Sequence, residues 1–105
     1  MTVVWADEAR ANARRLFARF TPLEARLWIG RLEAAAARLE LFPWSGPVVP
    51  EVPRLATRQI LVLPYRLIYF VGDEQVTIIN VCHTSESLAE YPEVAMAGVD
   101  DGDDD

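Results

Sequence analysis

The chain has 105 residues, 51% hydrophobic and 25% charged, with ten arginines, no lysine, sixteen acids and a formal net charge of −6. That length accommodates one packed domain. No apolar run approaches the roughly 18–20 residues of a membrane span, and the single cysteine, Cys82, excludes an internal disulfide and gives no metal-ligand spacing.

The N-terminal MTVVWADEAR has no basic region ahead of an apolar one, so a cytoplasmic protein is expected. The charge is unevenly spread. Asp100, Asp101, Asp103, Asp104 and Asp105 close the chain in VDDGDDD, and without them ten bases face eleven acids, a balance of −1. Seven arginines precede residue 41, against five acids there. A nucleic-acid footprint would need a basic stripe and a pI above ~9. Here the pI is about 4.7, and direct nucleic-acid binding is not expected.

Val3 to Trp5 reads as a short strand. From Asp7 to Phe20, Ala9, Ala13, Leu16, Phe17 and Phe20 recur at the three- and four-residue spacing of one helix face. Asp7 and Glu8 in the first turn and Arg19 in the last complement the macrodipole. In TPLE, Thr21 caps, Pro22 suits the first helical position and Glu24 completes a capping box. The second helix is predicted to run to about Leu41, with Ala25, Trp28, Ile29, Leu32, Ala35, Ala36 and Leu39 on its apolar stripe. So short a link makes the two helices an antiparallel hairpin.

FPWSGPVVPEVP, Phe42 to Pro53, holds four prolines and a glycine and can continue neither helix nor central strand. Beyond this connector, Gln59 to Leu63, Tyr65 to Val71 and Gln75 to Cys82 are rich in β-branched and aromatic residues. Pro64 and Gly72-Asp73 separate them, so an antiparallel meander is predicted. A helical turn is expected near Glu86 to Tyr91. The domain then spans residues 1–92, and 93–105 form a disordered acidic tail. The fold class is α+β, a helical hairpin on a twisted antiparallel sheet.

Strand alternation puts Leu67, Tyr69 and Val71 on one face and Arg66, Ile68 and Phe70 on the other. By the same rule Thr77, Ile79 and Val81 oppose Val76, Ile78, Asn80 and Cys82. A hairpin covers only one face of a small sheet. Arg66 and Asn80 mark the second face as the less buried, yet it also carries Ile68, Phe70 and Ile78. Either the connector or the segment after His83 folds over those residues, or a partner chain does. The residues alone leave both open.

VVWADEA, LxxFPWSGPVVPE, RQILVLPYRLIYFV and VTIINVCH, in this order, resemble the RelE/ParE family of bacterial type II toxins from Val3 to about Leu88. The resemblance implies a toxin held inactive by a cognate, ParD-like antitoxin in a hetero-oligomer, of the kind found in plasmid stabilisation and growth inhibition. RelE-like members cut messenger RNA on the ribosome, whereas ParE-like members inhibit DNA gyrase by protein–protein contact. Neither activity implies a cofactor or a metal.

RNA cleavage by 2′-hydroxyl attack builds negative charge that several cations must stabilise. Arg66 matches the strand arginine of RelE-like members, and Tyr91 falls near their tyrosine. Where RelE-like members carry a basic cluster, and ParE-like members usually carry arginines, this chain reads HTSESL. A carboxylate there repels the scissile phosphate. The resemblance is therefore closer to ParE, with Arg58, Arg66, Ile68, Phe70, Ile78, Asn80 and His83 as the residues expected to meet antitoxin or target. The RelE-like nuclease and a non-toxic antitoxin-binding module are the alternatives.

Each of these residues also has a structural role open to it. Arg58 is expected to pair with a connector acid such as Glu51, and His83 to be a hydrogen bonder at a strand end. Cys82 reads as a small packing residue. Trp5, Trp28 and Trp44 read as packing residues, with Trp44 the one expected at the surface. Arg10, Arg14 and Arg15 read as a solvated helix face, open also to an acidic antitoxin segment.

Overall fold

The helices and strands lie close to where the sequence pattern places them in a computed structural model that describes residues 1–52 and 54–86. The order is β1 (Thr2–Trp5), α1 (Asp7–Leu16), α2 (Pro22–Ala37), one 3-10 turn (Arg38–Glu40), β2 (Thr57–Val62), β3 (Tyr65–Val71) and β4 (Gln75–His83). The expected helical turn at Glu86 to Tyr91 and the tail, 93–105, lie outside the described residues, apart from Glu86 itself.

The capping box at Thr21 is complete. The Glu24 amide donates to Thr21 Oγ1 at 3.1 Å, and the Thr21 amide donates to Glu24 Oε1 at 2.9 Å. Thr21 must be extended to cap, so the chain needs residues in which to reverse. That is why α1 ends at Leu16 and not at the expected Phe20. Phe17 to Phe20 form turns that bury the Phe17 ring and stack it on Phe20, with centroids 5.6 Å apart.

The strand order is β1-β4-β3-β2. β2, β3 and β4 form the predicted antiparallel meander, with Leu63 and a cis Pro64 turning β2 into β3. β1 lies parallel to β4, so the whole sheet is mixed. The hairpin packs Ala9, Ala13, Phe17, Leu32, Ala36 and Leu39 onto Tyr65, Leu67, Tyr69 and Val71. The Tyr65 ring meets Phe17 and Trp28 edge-on at 5.3 and 5.1 Å, a favourable quadrupole geometry.

In β4 the expected alternation fails. The register passes from Ile68↔Asn80 to Tyr69↔Ile78, skipping Ile79. One extra residue in a strand reverses which side chains face which way beyond it. Val76 and Ile78 therefore join Val81 in the helix-side core, not Arg66 on the outer face, while Ile79 packs with Cys82 on the outer side. Asn80 turns toward α1, where its Oδ1 accepts from the Asn12 side-chain Nδ2 and from the Val81 backbone N–H.

The outer face has its own small core. Val49 and Val52, from the connector, cover Ile68 and Cys82. The connector is fastened to the edge of β2 by Val49 N–H to Thr57 O (3.2 Å) and Gln59 N–H to Pro47 O (3.0 Å). Of the two covers the sequence left open, this chain's connector supplies one.

Candidate functional site

Arg66 stands on β3 opposite Leu61 of β2 and Cys82 of β4, on the outer face beneath the connector. It is only 6% exposed. Its Nη1 and Nη2 each donate to a different oxygen of Glu51 at 2.9 Å, a bidentate pair. Nε and Nη2 both donate to Gln59 Oε1, at 3.0 and 2.7 Å, and Nη1 reaches the Glu86 carbonyl at 3.3 Å. The Glu51 hydrogen bond pushes the guanidinium pKa up, while burial opposes it. The arginine thus ties connector, edge strand and the segment after β4 to one point. Its charge is neutralised where it sits.

Arg58 does not pair with Glu51 as expected. It lies opposite Tyr69, and cross-strand partners share a face, so it points away from the side on which Glu51 meets Arg66. It donates instead to the carbonyls of Leu55 (2.8 Å), Gly46 (3.0 Å) and Trp44 (3.3 Å), and lies over the Trp44 ring at 5.0 Å. Trp44 is at the surface, as expected. The Gly46 amide donates to the Tyr69 hydroxyl at 2.9 Å, and burial raises the Tyr69 pKa.

His83 is half-buried with its ring edge-on to Tyr65. Its Nδ1 accepts the Ser85 backbone N–H at 3.1 Å and lies 2.8 Å from Ser85 Oγ, and the His83 backbone N–H donates to Glu86 Oε1 at 3.3 Å. These bonds fold HTSE into a turn and hold the Glu86 carboxylate at the backbone of His83. Tyr91 lies outside the described residues. Cys82 is fully buried, and that burial pushes its thiol pKa up to about 11, so it stays protonated and unreactive near neutrality.

Of the residues expected to meet a partner, Ile68, Ile78 and Asn80 are fully buried by this chain and present no surface. Arg66 is occupied. Arg58, Phe70 and His83 are half-buried. The sequence reading missed Gln59 and the Asn12–Asn80 contact, and it assigned Glu51 to the wrong arginine. Among the described residues, no group of three His, Cys, Asp or Glu side chains could hold a metal, and no helix is long and apolar enough to cross a membrane.

Accessible apolar surface lies elsewhere. Trp5, Ala13, Ile29 and Leu32 line a groove of about 270 Å³ between α1 and α2, with Arg10, Arg14 and Glu33 also contributing. Exposed Phe42 and Leu61 line a depression of about 360 Å³ beside the edge strand, together with Arg38.

The family described as "ParE toxin of type II toxin-antitoxin system, parDE" matches residues 3–88. The chain belongs to the ParE toxin family. Among solved structures, a chain of the "Chromosomal ParDE TA system from P. aeruginosa" is similar in fold, with a TM-score of 0.62 and 18% identity. The alignment covers 79% of this chain and 95% of that one. No curated protein matches the chain. The hairpin, connector and mixed sheet described above are therefore a ParE toxin fold, as the resemblance of the sequence implied.

Proposed function

We propose that this ParE-family chain inhibits a gyrase-type topoisomerase by protein–protein contact and is neutralised by a cognate antitoxin. What supports contact over RNA cleavage is the state of Arg66, the strand cation a RelE-like mechanism would use. It is sealed beneath the connector and chelated by Glu51. Freeing it for a phosphate would strip a buried ion pair, a costly step. The groove between α1 and α2 fits an amphipathic antitoxin segment, with Ile29 39% exposed beside Trp5, and Arg10, Arg14 and Glu33 among the lining.

Purified chain added to a supercoiling assay is expected to inhibit the topoisomerase, and equimolar antitoxin to restore it. Supercoiling unaffected, with transcripts cleaved on ribosomes instead, would sink this reading in favour of the nuclease. Normal growth on induction without the antitoxin would leave a binding module. Ile29→Asp is expected to weaken antitoxin binding about tenfold or more, since a charge in that groove must be desolvated.

A further inference from the structure

Leu32, Ala35, Ala36 and Leu39 are the buried side of α2 and the turn that follows it. On the opposite side Leu23, Leu27, Gly30, Ala34, Ala37 and Leu41 recur at alternating spacings of four and three. All six are exposed, the three leucines by more than half. That spacing is the seam of a helix pair, and a helix apolar on two opposite sides has two faces to bury. Gly30 sits in the middle of the seam. A Cβ there would meet no atom within 4 Å, so nothing in the described chain requires glycine. Glycine inside a helix is less favourable than alanine, and it suits a place where another backbone comes close. Charges flank the seam in opposite order. Glu24, Arg31 and Arg38 lie along one side, with Arg38 toward β2, and Arg26, Glu33 and Glu40 lie along the other, with Glu33 toward α1. None of the six forms an ion pair among the described residues.

We propose that two copies of this chain pair through the outward face of α2, antiparallel about a two-fold axis at the level of Leu32. Leu23 then meets Leu41 of the second copy, Leu27 meets Ala37, and Gly30 meets Ala34. The small residues flank the axis, so the helices can close to about 8 Å, the short end of ordinary packing. Along the flanks Glu24 faces Arg38 and Arg26 faces Glu40, each twice by symmetry. Glu24 gives one carboxylate oxygen to its own cap, which leaves the other for this contact. Arg31 and Glu33 meet their own kind at the axis, but Arg31 leans over its own Trp28 ring, 4.6 Å from the centroid. A parallel pair would set Arg26 against Arg31 instead. The charges therefore select a second copy, and select the antiparallel sense. Such a pairing consumes the same face on both copies and stops at the dimer, so association beyond it must use another surface. One helix from each copy makes an interface at the small end of the specific range, with dissociation in the micromolar regime.

Sedimentation equilibrium on the full chain, with neither target nor antitoxin present, reads the dimer. Arg26→Glu and Glu40→Arg each turn two attractive contacts repulsive, and each is expected to weaken the dimer about tenfold. Combining them restores the pairing with its signs exchanged, and should return the dissociation constant to within about threefold of the wild-type value. Gly30→Gln puts a better helix former in the helix but fills the crossing. It should leave the chain monomeric where the wild type is dimeric, with no fall in melting temperature in dilute solution. A wild-type chain still monomeric at millimolar concentration would overturn the proposal and leave the face to a different polypeptide. So would a dimer indifferent to both charge reversals, or one tightened by Arg26→Glu, as a parallel pair requires. Failure on any of these counts leaves the topoisomerase reading standing.

Discussion

At the scale of single residues, an apolar strand can hold a charge only if the charge is answered. Arg66 meets that condition with two carboxylate oxygens, an amide and a carbonyl. Removing one partner of such a pair leaves a buried ion, which costs more than the intact pair is worth. Glu51→Gln is therefore expected to destabilise the fold by about 2 kcal/mol, below the fully buried range because Glu51 keeps some solvent access. A shifted urea midpoint with unchanged slope would show it; an unmoved midpoint would mean Gln59 and the Glu86 carbonyl suffice. Cys82 gives a pH signature. Its folded pKa, about 11, lies above the ordinary thiol value of 9.0, so between them the unfolded chain releases its proton first. Stability is then full below pH 9 and falls as pH rises through 11, by about 2–3 kcal/mol. Tyr69, also raised by burial, adds to the fall at its upper end. Cys82→Ala should flatten the thiol's share in denaturant titrations across that range.

At the scale of elements, the connector is the piece that closes the outer face, and Gly46 is where it passes nearest the sheet. A Cβ there would collide with the Gln59 carbonyl oxygen and crowd the Tyr69 hydroxyl at 2.8 Å. Neither is the loose end of a flexible side chain, since Tyr69 is fully buried. Gly46→Ala is expected to cost about 1–3 kcal/mol as overpacking and to lower the melting temperature. Amide exchange should quicken at Thr57 to Gln59, which the connector caps. The local signals of this fold were legible because their causes are local: TPLE writes a capping box within four residues, and four prolines forbid a helix after Phe42. The bulge at Ile79 was not. QVTIINVCH is apolar on both alternations and has no glycine to mark an extra residue, so either face assignment fits the letters. Glu51's choice between Arg58 and Arg66 was equally hidden, because it depends on which face a non-local segment crosses. The bulge turned an inner residue, Ile78, and the connector's path a covered one, Ile68, into expected contact residues.

At the scale of the whole molecule, the sheet has one edge half closed. Val48 and Pro47 cap β2 at Arg58 and Gln59, but no described backbone group bonds the outer side of Leu61. Leu61 and Leu63 are 53% and 68% exposed beside Phe42 at 64%. An uncapped strand end bearing aliphatic side chains is a template for another chain, and proteins usually blunt such edges with charge, most often lysine. This chain has no lysine anywhere; Arg58, the cation on β2, is turned to the connector carbonyls, and Arg66, opposite Leu61, is held by Glu51. The isolated chain is accordingly expected to self-associate as its concentration rises, through the Leu61 end of β2. Leu61→Lys should suppress this. The side chain is exposed and opposite Arg66, whose charge Glu51 neutralises, so the fold should lose no more than about 1 kcal/mol, the upper range for a cross-strand pair. Sedimentation velocity over a concentration series would decide. Equal association by the wild-type chain and Leu61→Lys, with both folded by circular dichroism, would move the sticky surface from the strand edge to the helix groove.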